Sequence, residues 1–200
     1  MAETTQAKKL KVLVIAGSPR RGGNTDRLLD QAAAGAASQG GQVKQIVLAD
    51  LDISPCLHCD GCIQTGGICV IEDDMQWIHN DLREYDRFIL ASPIFFMGIT
   101  AQAKAMIDRC QALWVIKYRL KLPIALNPQM DRKGVFISVG ASKYDNLFQG
   151  SIATLKSWYV TLDIKYSAEL VFPGIENYDA VSKHPTALKD AFALGQQLVS

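Results

Sequence analysis

Long apolar runs are missing from this chain, and so is any excess of charge. No hydrophobic stretch reaches the length that a membrane span needs. The 21 basic side chains against 20 acidic ones leave a net charge of +1, which gives no electrostatic footprint for nucleic acid or an anionic membrane surface. Internal repeats and low-complexity linkers are absent, and no acid–base triad suggests itself. Lys8, Lys9 and Lys11 read as a solvated entry to a strand and not as a binding arm. The same start superficially matches a secretory leader. Lys11 interrupts its apolar run, however, and Arg20 and Arg21 follow where a small-residue cleavage site belongs, so the expected location is cytoplasmic. Cysteine is scarce outside one place: four of the five lie between Cys56 and Cys69. In a reducing compartment that distribution favours metal or redox chemistry over structural disulfides.

What is present is ordinary for a globular enzyme, with 48% hydrophobic and 20% charged residues over 200 positions. That is enough for one domain with its own core. "KVLVIAG" is a β-branched apolar run suited to a strand buried on both faces. Leu28, Leu29, Ala32, Ala33 and Ala36 then recur at helical spacing until Gly40–Gly41. "QVKQIVLAD", "DRFILASP", "KGVFISVGA" and "DIKYSAELVFPG" supply four further strands. Helices are predicted over about Asp74 to Arg83, along the face formed by Ala103, Met106, Ile107, Cys110 and Trp114, around Phe148 to Tyr159, and along Leu188 to Val199. Asp73 or Asp74 is the predicted cap of the first of these. Five strands alternating with helices imply an open parallel α/β sheet covered on both faces. Ligands in such sheets bind beyond the carboxyl ends of the strands.

Three loops fall at those ends. "GSPRRGGNT", Gly17 to Thr25, joins a buried strand to a helix. Its glycines let amides converge on an anion, and Asn24 or Thr25 is placed to cap the helix. Ser18, Gly23, Asn24 and Thr25 are therefore candidate phosphate ligands, with Arg20 or Arg21 as counter-charge. The loop is neither the G-x-G-x-x-G fingerprint nor a nucleotide-hydrolysing Gly-Lys-Ser/Thr loop. After the third strand, Pro93, Ile94, Phe95, Phe96, Met97 and Gly98 put large apolar side chains where a loop is normally polar. This suits a wall for a flat ring, or burial by a neighbouring subunit. After the fourth, Gly140 and Ala141 permit close backbone approach.

In that order, "GSPRRGGNT", "CLHCDGCIQTGGICVIEDDM" and "ASPIFFMGITAQAKAMIDR" resemble the flavodoxin-like NAD(P)H-dependent FMN reductases, and more closely their iron–sulfur flavoprotein branch. The resemblance implies a single flavodoxin-like FMN-binding domain over 1–200, strand order 2-1-3-4-5, with a cysteine-rich insertion at about 54–72. It also implies non-covalent FMN, with phosphate in the first loop, ring against Pro93–Gly98 and the Gly140 loop close by. NAD(P)H or ferredoxin is the implied electron donor, and the implied assembly is a homodimer or homotetramer with flavin near a subunit interface. Relatives often carry tyrosine where this chain has Phe95 or Phe96, which removes a hydroxyl from that loop.

The cysteine spacing, C-x2-C-x2-C-x6-C, brings three thiolates towards one cubane, and a fourth can close it. By resemblance to the iron–sulfur flavoproteins, Cys56, Cys59, Cys62 and Cys69 are the ligands of a [4Fe–4S] cluster. Tetrahedral zinc, a thiol–disulfide relay and cysteines that hold no metal are the open alternatives. His58 has no vacancy to fill in a four-thiolate cluster. Cys110, on an apolar helix face, reads as core.

Overall fold

The computed structural model describes residues 9–200. Residues 1–8, with Lys8 of the basic start and the first positions of the 1–200 domain, lie outside the described residues. The elements run β1 (Lys11–Ala16), α1 (Asn24–Ser38), β2 (Gln42–Val47), α2 (Gly61–Gln64), α3 (Met75–Glu84), β3 (Arg87–Ala91), α4 (Ala101–Arg109), α5 (Gln111–Trp114), β4 (Lys133–Gly140), α6 (Gln149–Thr161), β5 (Lys165–Pro173) and α7 (Ala187–Val199). Every strand pairing is parallel, in the order β2-β1-β3-β4-β5. This is the flavodoxin-like arrangement. Among the described residues, no helix is long and apolar enough to cross a membrane.

The sheet divides the core in two because successive side chains of a strand point to opposite faces. Leu13 and Ile15 of β1, Phe88 and Leu90 of β3 and Phe136 of β4 face the side covered by α3, α4 and α6. Val12, Val14, Ile89, Ala91, Val135 and Ile137 face α1 and α7. Those two helices touch backbone to backbone: a Cβ on Gly35 would sit 2.0 Å from the Phe192 carbonyl oxygen, and one on Gly195 only 1.9 Å from that of Ala32. At the end of α1, Gly40 takes φ +83° and its amide donates to Ala37 O, as the left-handed stop of a helix requires.

Three local expectations change. The predicted tail of the second strand, "LAD", is a single 3-10 turn, Leu48–Asp50. The helix expected to carry Ala103 through Trp114 on one face breaks at Cys110 and ends in a wider π-type turn, Val115–Arg119. Cys110 is core at that break. Its thiol meets Met106 O and accepts from Trp158 Nε1, and burial pushes its pKa up to about 12. Finally, of the two acids only Asp73 bonds the start of α3 with its side chain. Asp74 occupies the cap position without a side-chain cap bond, its Oδ1 accepting instead from Trp77 Nε1, while Asp73 Oδ1 takes the Met75 amide.

Candidate functional site

At the carboxyl edge of the sheet, loops from β1, β3 and β4 meet around a cavity of about 310 Å³. That volume suits a small organic ligand. From the first loop Ser18, Arg20, Gly23, Asn24 and Thr25 line it; from the second, Pro93, Ile94 and Phe95; from the third, Gly140 and Ala141. The loops are held in register by their own backbones. Gly17 N donates to Ala91 O at 2.7 Å, Ile94 N to Val139 O at 2.9 Å, and Thr100 Oγ1 to Gly17 O. Gly17 is required here, since a Cβ would lie 2.9 Å from the Ala91 oxygen.

The first loop gathers donors beside the cavity, although not through the predicted cap. Asn24 and Thr25 are already helical, so neither can cap α1; the cap position is Gly23, without a side-chain bond. The first helical hydrogen bond runs from Arg27 N to Gly23 O, leaving the preceding amides without an intrahelical partner beside the cavity. Ser18 Oγ folds the turn by bonding the backbone of Arg20. Arg21 is drawn away towards Asp26 and Asp50. No ion pair occupies Arg20 among the described residues, which leaves its guanidinium as the cavity's cation. Asp26 Oδ2 accepts from Gly22 N at 2.8 Å; burial raises its pKa, against the pull of that amide and of Arg21.

Asn24 does something that its own neighbourhood does not suggest. Its Nδ2 donates to Asn177 O at 2.8 Å and its Oδ1 accepts from Val181 N at 3.0 Å. These bonds pin the loop after β5 beside the first loop, and Ile175, Glu176 and Tyr178 thereby join the lining. The sequence reading missed all three. The signal was the carboxyl-edge rule itself, which extends to the fifth strand.

The second loop ends in a two-residue turn. Phe95 N and Gly98 O bond at 2.9 Å, Gly98 N and Phe95 O at 3.0 Å, and Phe96 and Met97 take φ +49° and +65°. Left-handed backbone at two bulky residues is costly, and asparagine or glycine is the usual occupant. Phe95 faces the cavity, whereas Phe96, Met97 and Gly98 lie outside its lining, and Phe96 is fully exposed.

A second, tighter cavity of about 20 Å³ lies in the connection from β2 to α3. Cys56, Cys59, Cys62 and Cys69 all line it, together with Arg109. The segment curls through left-handed backbone at His58, Asp60, Gly66 and Gly67, and the short helix α2 carries Cys62. His58 is exposed, and all four cysteines are free thiols. Burial raises the Cys62 pKa; a backbone amide pulls it down, and the thiols of Cys69, Cys56 and Cys59 add to the rise. Among the described residues, no three His, Cys, Asp or Glu side chains converge tightly enough to hold a single metal ion.

Residues 10–151 match the family model of the NADPH-dependent FMN reductases. An iron-sulfur flavoprotein of Methanocaldococcus jannaschii is 36% identical over 135 residues, covering 67% of this chain and 64% of that protein. An iron-sulfur flavoprotein of Methanosarcina thermophila is 31% identical over 134 residues, 67% of this chain and 65% of that protein. The chain thus spans slightly under two thirds of the length of these relatives. A crystal structure of an azoreductase from Bacillus anthracis shares the fold with a TM-score of 0.72 at 14% identity, covering 94% of this chain and 99% of that one.

Proposed function

Because the chain belongs to the NADPH-dependent FMN reductase family of oxidoreductases, we propose that it is an FMN-dependent oxidoreductase that also carries a [4Fe–4S] cluster. The observation that carries the flavin part is the meeting of three strand-end loops on one cavity with an uncapped helix start and an Arg20 that has no ion pair among the described residues. These residues fit FMN. The amides at the start of α1, Thr25 and Arg20 bind the phosphate, as helix starts favour anions. Pro93, Ile94 and Phe95 would orient the ring, and Gly140 and Ala141 would leave room for it beside the β4 loop. Bound there, FMN supplies hydride acceptance and stepwise electron release. Asn24 acts indirectly, by keeping the β5 loop closed over the same cavity.

The cysteine cavity fits a cluster by its donor set: four thiols around one space, with a buried guanidinium to offset their charge. In this reading Cys56, Cys59, Cys62 and Cys69 would hold the cluster, which would supply one-electron transfer. NAD(P)H or a ferredoxin is the electron donor. The residues form a single FMN-binding domain, with the cysteine segment inserted at about 54–72. Exposed Phe96, beside the cavity-lining Phe95, supports a homodimer or homotetramer that buries this loop next to the flavin. A cytoplasmic setting belongs to the same reading.

The test is an absorption spectrum of anaerobically purified protein, with FMN, iron and acid-labile sulfide measured on the same sample. The expected result is one FMN with roughly four iron and four sulfide per chain. FMN without iron, even after anaerobic reconstitution, leaves a cluster-free reductase. Failure to take up FMN removes the proposal.

A further inference from the structure

Arg109 ends α4, where a basic side chain normally turns to solvent, yet its side chain is 0% exposed. Its side-chain hydrogen bonds all go to the flanks of the cysteine segment. Nη1 donates to Ser54 O at 2.9 Å, and Nη2 to Ile71 O at 3.1 Å, so one guanidinium holds both ends of the loop that carries the four thiols. The same two nitrogens meet the Asp73 carboxylate at 2.5 and 2.9 Å, and that carboxylate is itself only 2% exposed. Asp73 in turn accepts from Ser54 N at 3.0 Å, which closes the loop's first end a second time. The remaining donor is the informative one. Arg109 Nε is buried and has no hydrogen-bond partner among the described residues, while the side chain lines the cavity shared by the four cysteines. An unpaired N–H in that position is costly unless something accepts from it.

We propose that Arg109, braced by Asp73, is the positioning residue of the cysteine centre: it ties the ends of the segment together and sets a buried positive charge, with a free Nε–H, beside the cavity of the four thiols. This rests on the cluster reading above. Four thiolates around a [4Fe–4S] core leave a net negative charge that grows by one on one-electron reduction. A fixed cation beside the ligand sulfurs therefore stabilises the reduced form more than the oxidised form and raises the potential. Charge, hydrogen bonds to sulfur and exposure are the quantities that tune such clusters. The tie has a mechanical role as well. His58 and Asp60 sit in left-handed backbone, at φ +51° and +55°, which the loop must be held in to keep its thiols facing one space. Arginine suits both roles because its rigid fork reaches two carbonyls and a carboxylate at once, which a lysine ammonium cannot do.

The experiment compares anaerobically purified wild type, Arg109→Gln and Arg109→Lys, full chain throughout. FMN per chain reports that the fold is intact. Iron and sulfide per chain, the rate of iron loss to a ferrous chelator, and the potential of the cluster followed by electron paramagnetic resonance report on the centre. Arg109→Gln is expected to keep FMN, to lose iron at least tenfold faster and to reduce tenfold less readily, a fall of about 59 mV for one electron. Arg109→Lys keeps the charge but not the fork, so iron loss accelerates while the potential stays nearer the wild-type value. A wild-type potential in Arg109→Gln overturns the charge assignment, and wild-type iron loss in Arg109→Lys overturns the tie. Should Arg109→Gln fail to bind FMN, the Arg109→Lys iron-loss rate decides alone. A wild-type protein that takes no iron or sulfide on reconstitution removes the cluster reading itself, and this inference with it.

Discussion

His79 gives stability a pH dependence that can be worked out from its surroundings. It lies on α3, 7% exposed, with Nε2 3.1 Å from the Arg109 carbonyl oxygen. A carbonyl only accepts, so Nε2 carries the proton and the neutral ring satisfies the contact. Burial drives the pKa from 6.5 down to about 4, against the upward pull of that carbonyl and with the Arg109 guanidinium adding to the fall. In the unfolded chain the imidazole titrates near its ordinary value. Between the two pKa values the unfolded state therefore binds a proton that the folded state refuses, and stability falls as pH falls. The loss starts below about pH 6.5 and is complete near pH 4. A gap of about 2.5 pH units at about 1.36 kcal/mol each is worth about 3 kcal/mol, most of it expressed by about pH 4.5. That is a large share of a typical domain's stability. His79→Gln keeps a donor for the Arg109 carbonyl and does not titrate. Urea unfolding of both proteins at several pH values between about 7.5 and 4.5, under reductant and fixed excess FMN, isolates the effect as the difference between the two curves. Parallel pH dependence within about 0.5 kcal/mol would refute the reasoning.

Gly35→Ala should destabilise the protein by about 3 kcal/mol, because its Cβ would stand 2.0 Å from the Phe192 oxygen where two helix backbones meet; a urea midpoint close to wild type would show that α1 and α7 separate cheaply. Asn24→Ala removes both bonds to the loop after β5, at a cost of about 2 kcal/mol, and should weaken FMN binding about tenfold. Fluorescence titration with FMN checks this, and unchanged affinity would mean that the loop closes without Asn24. Restoring FMN at a hundredfold over its dissociation constant should add about 2.7 kcal/mol, a rise of roughly 5–10 °C in melting temperature for a chain of this size. No shift in a melting scan would show that the cavity does not hold the flavin.

The strand runs and helical spacings were enough, with the resemblance, to order the five strands and to name the loops that meet at the sheet's carboxyl edge. This works because β-branched runs and 3.6-residue spacing are local properties, and because parallel crossovers admit few topologies. The cysteine spacing is local too, which is why all four thiols could be assigned to one place before any coordinates. Local pattern failed wherever a side chain is used at long range. Asn24 reads as a helix cap, yet it holds a loop more than 150 residues away. Phe96 reads as part of an apolar wall, but a two-residue turn sends it out to solvent. Asp73 reads as a cap and Arg109 as a basic residue at a helix end; together they are a buried pair, 36 residues apart, that closes the cysteine loop. Nothing in their immediate sequence requires this. A buried charge needs a partner from elsewhere in the chain, and only the packed structure decides which one arrives.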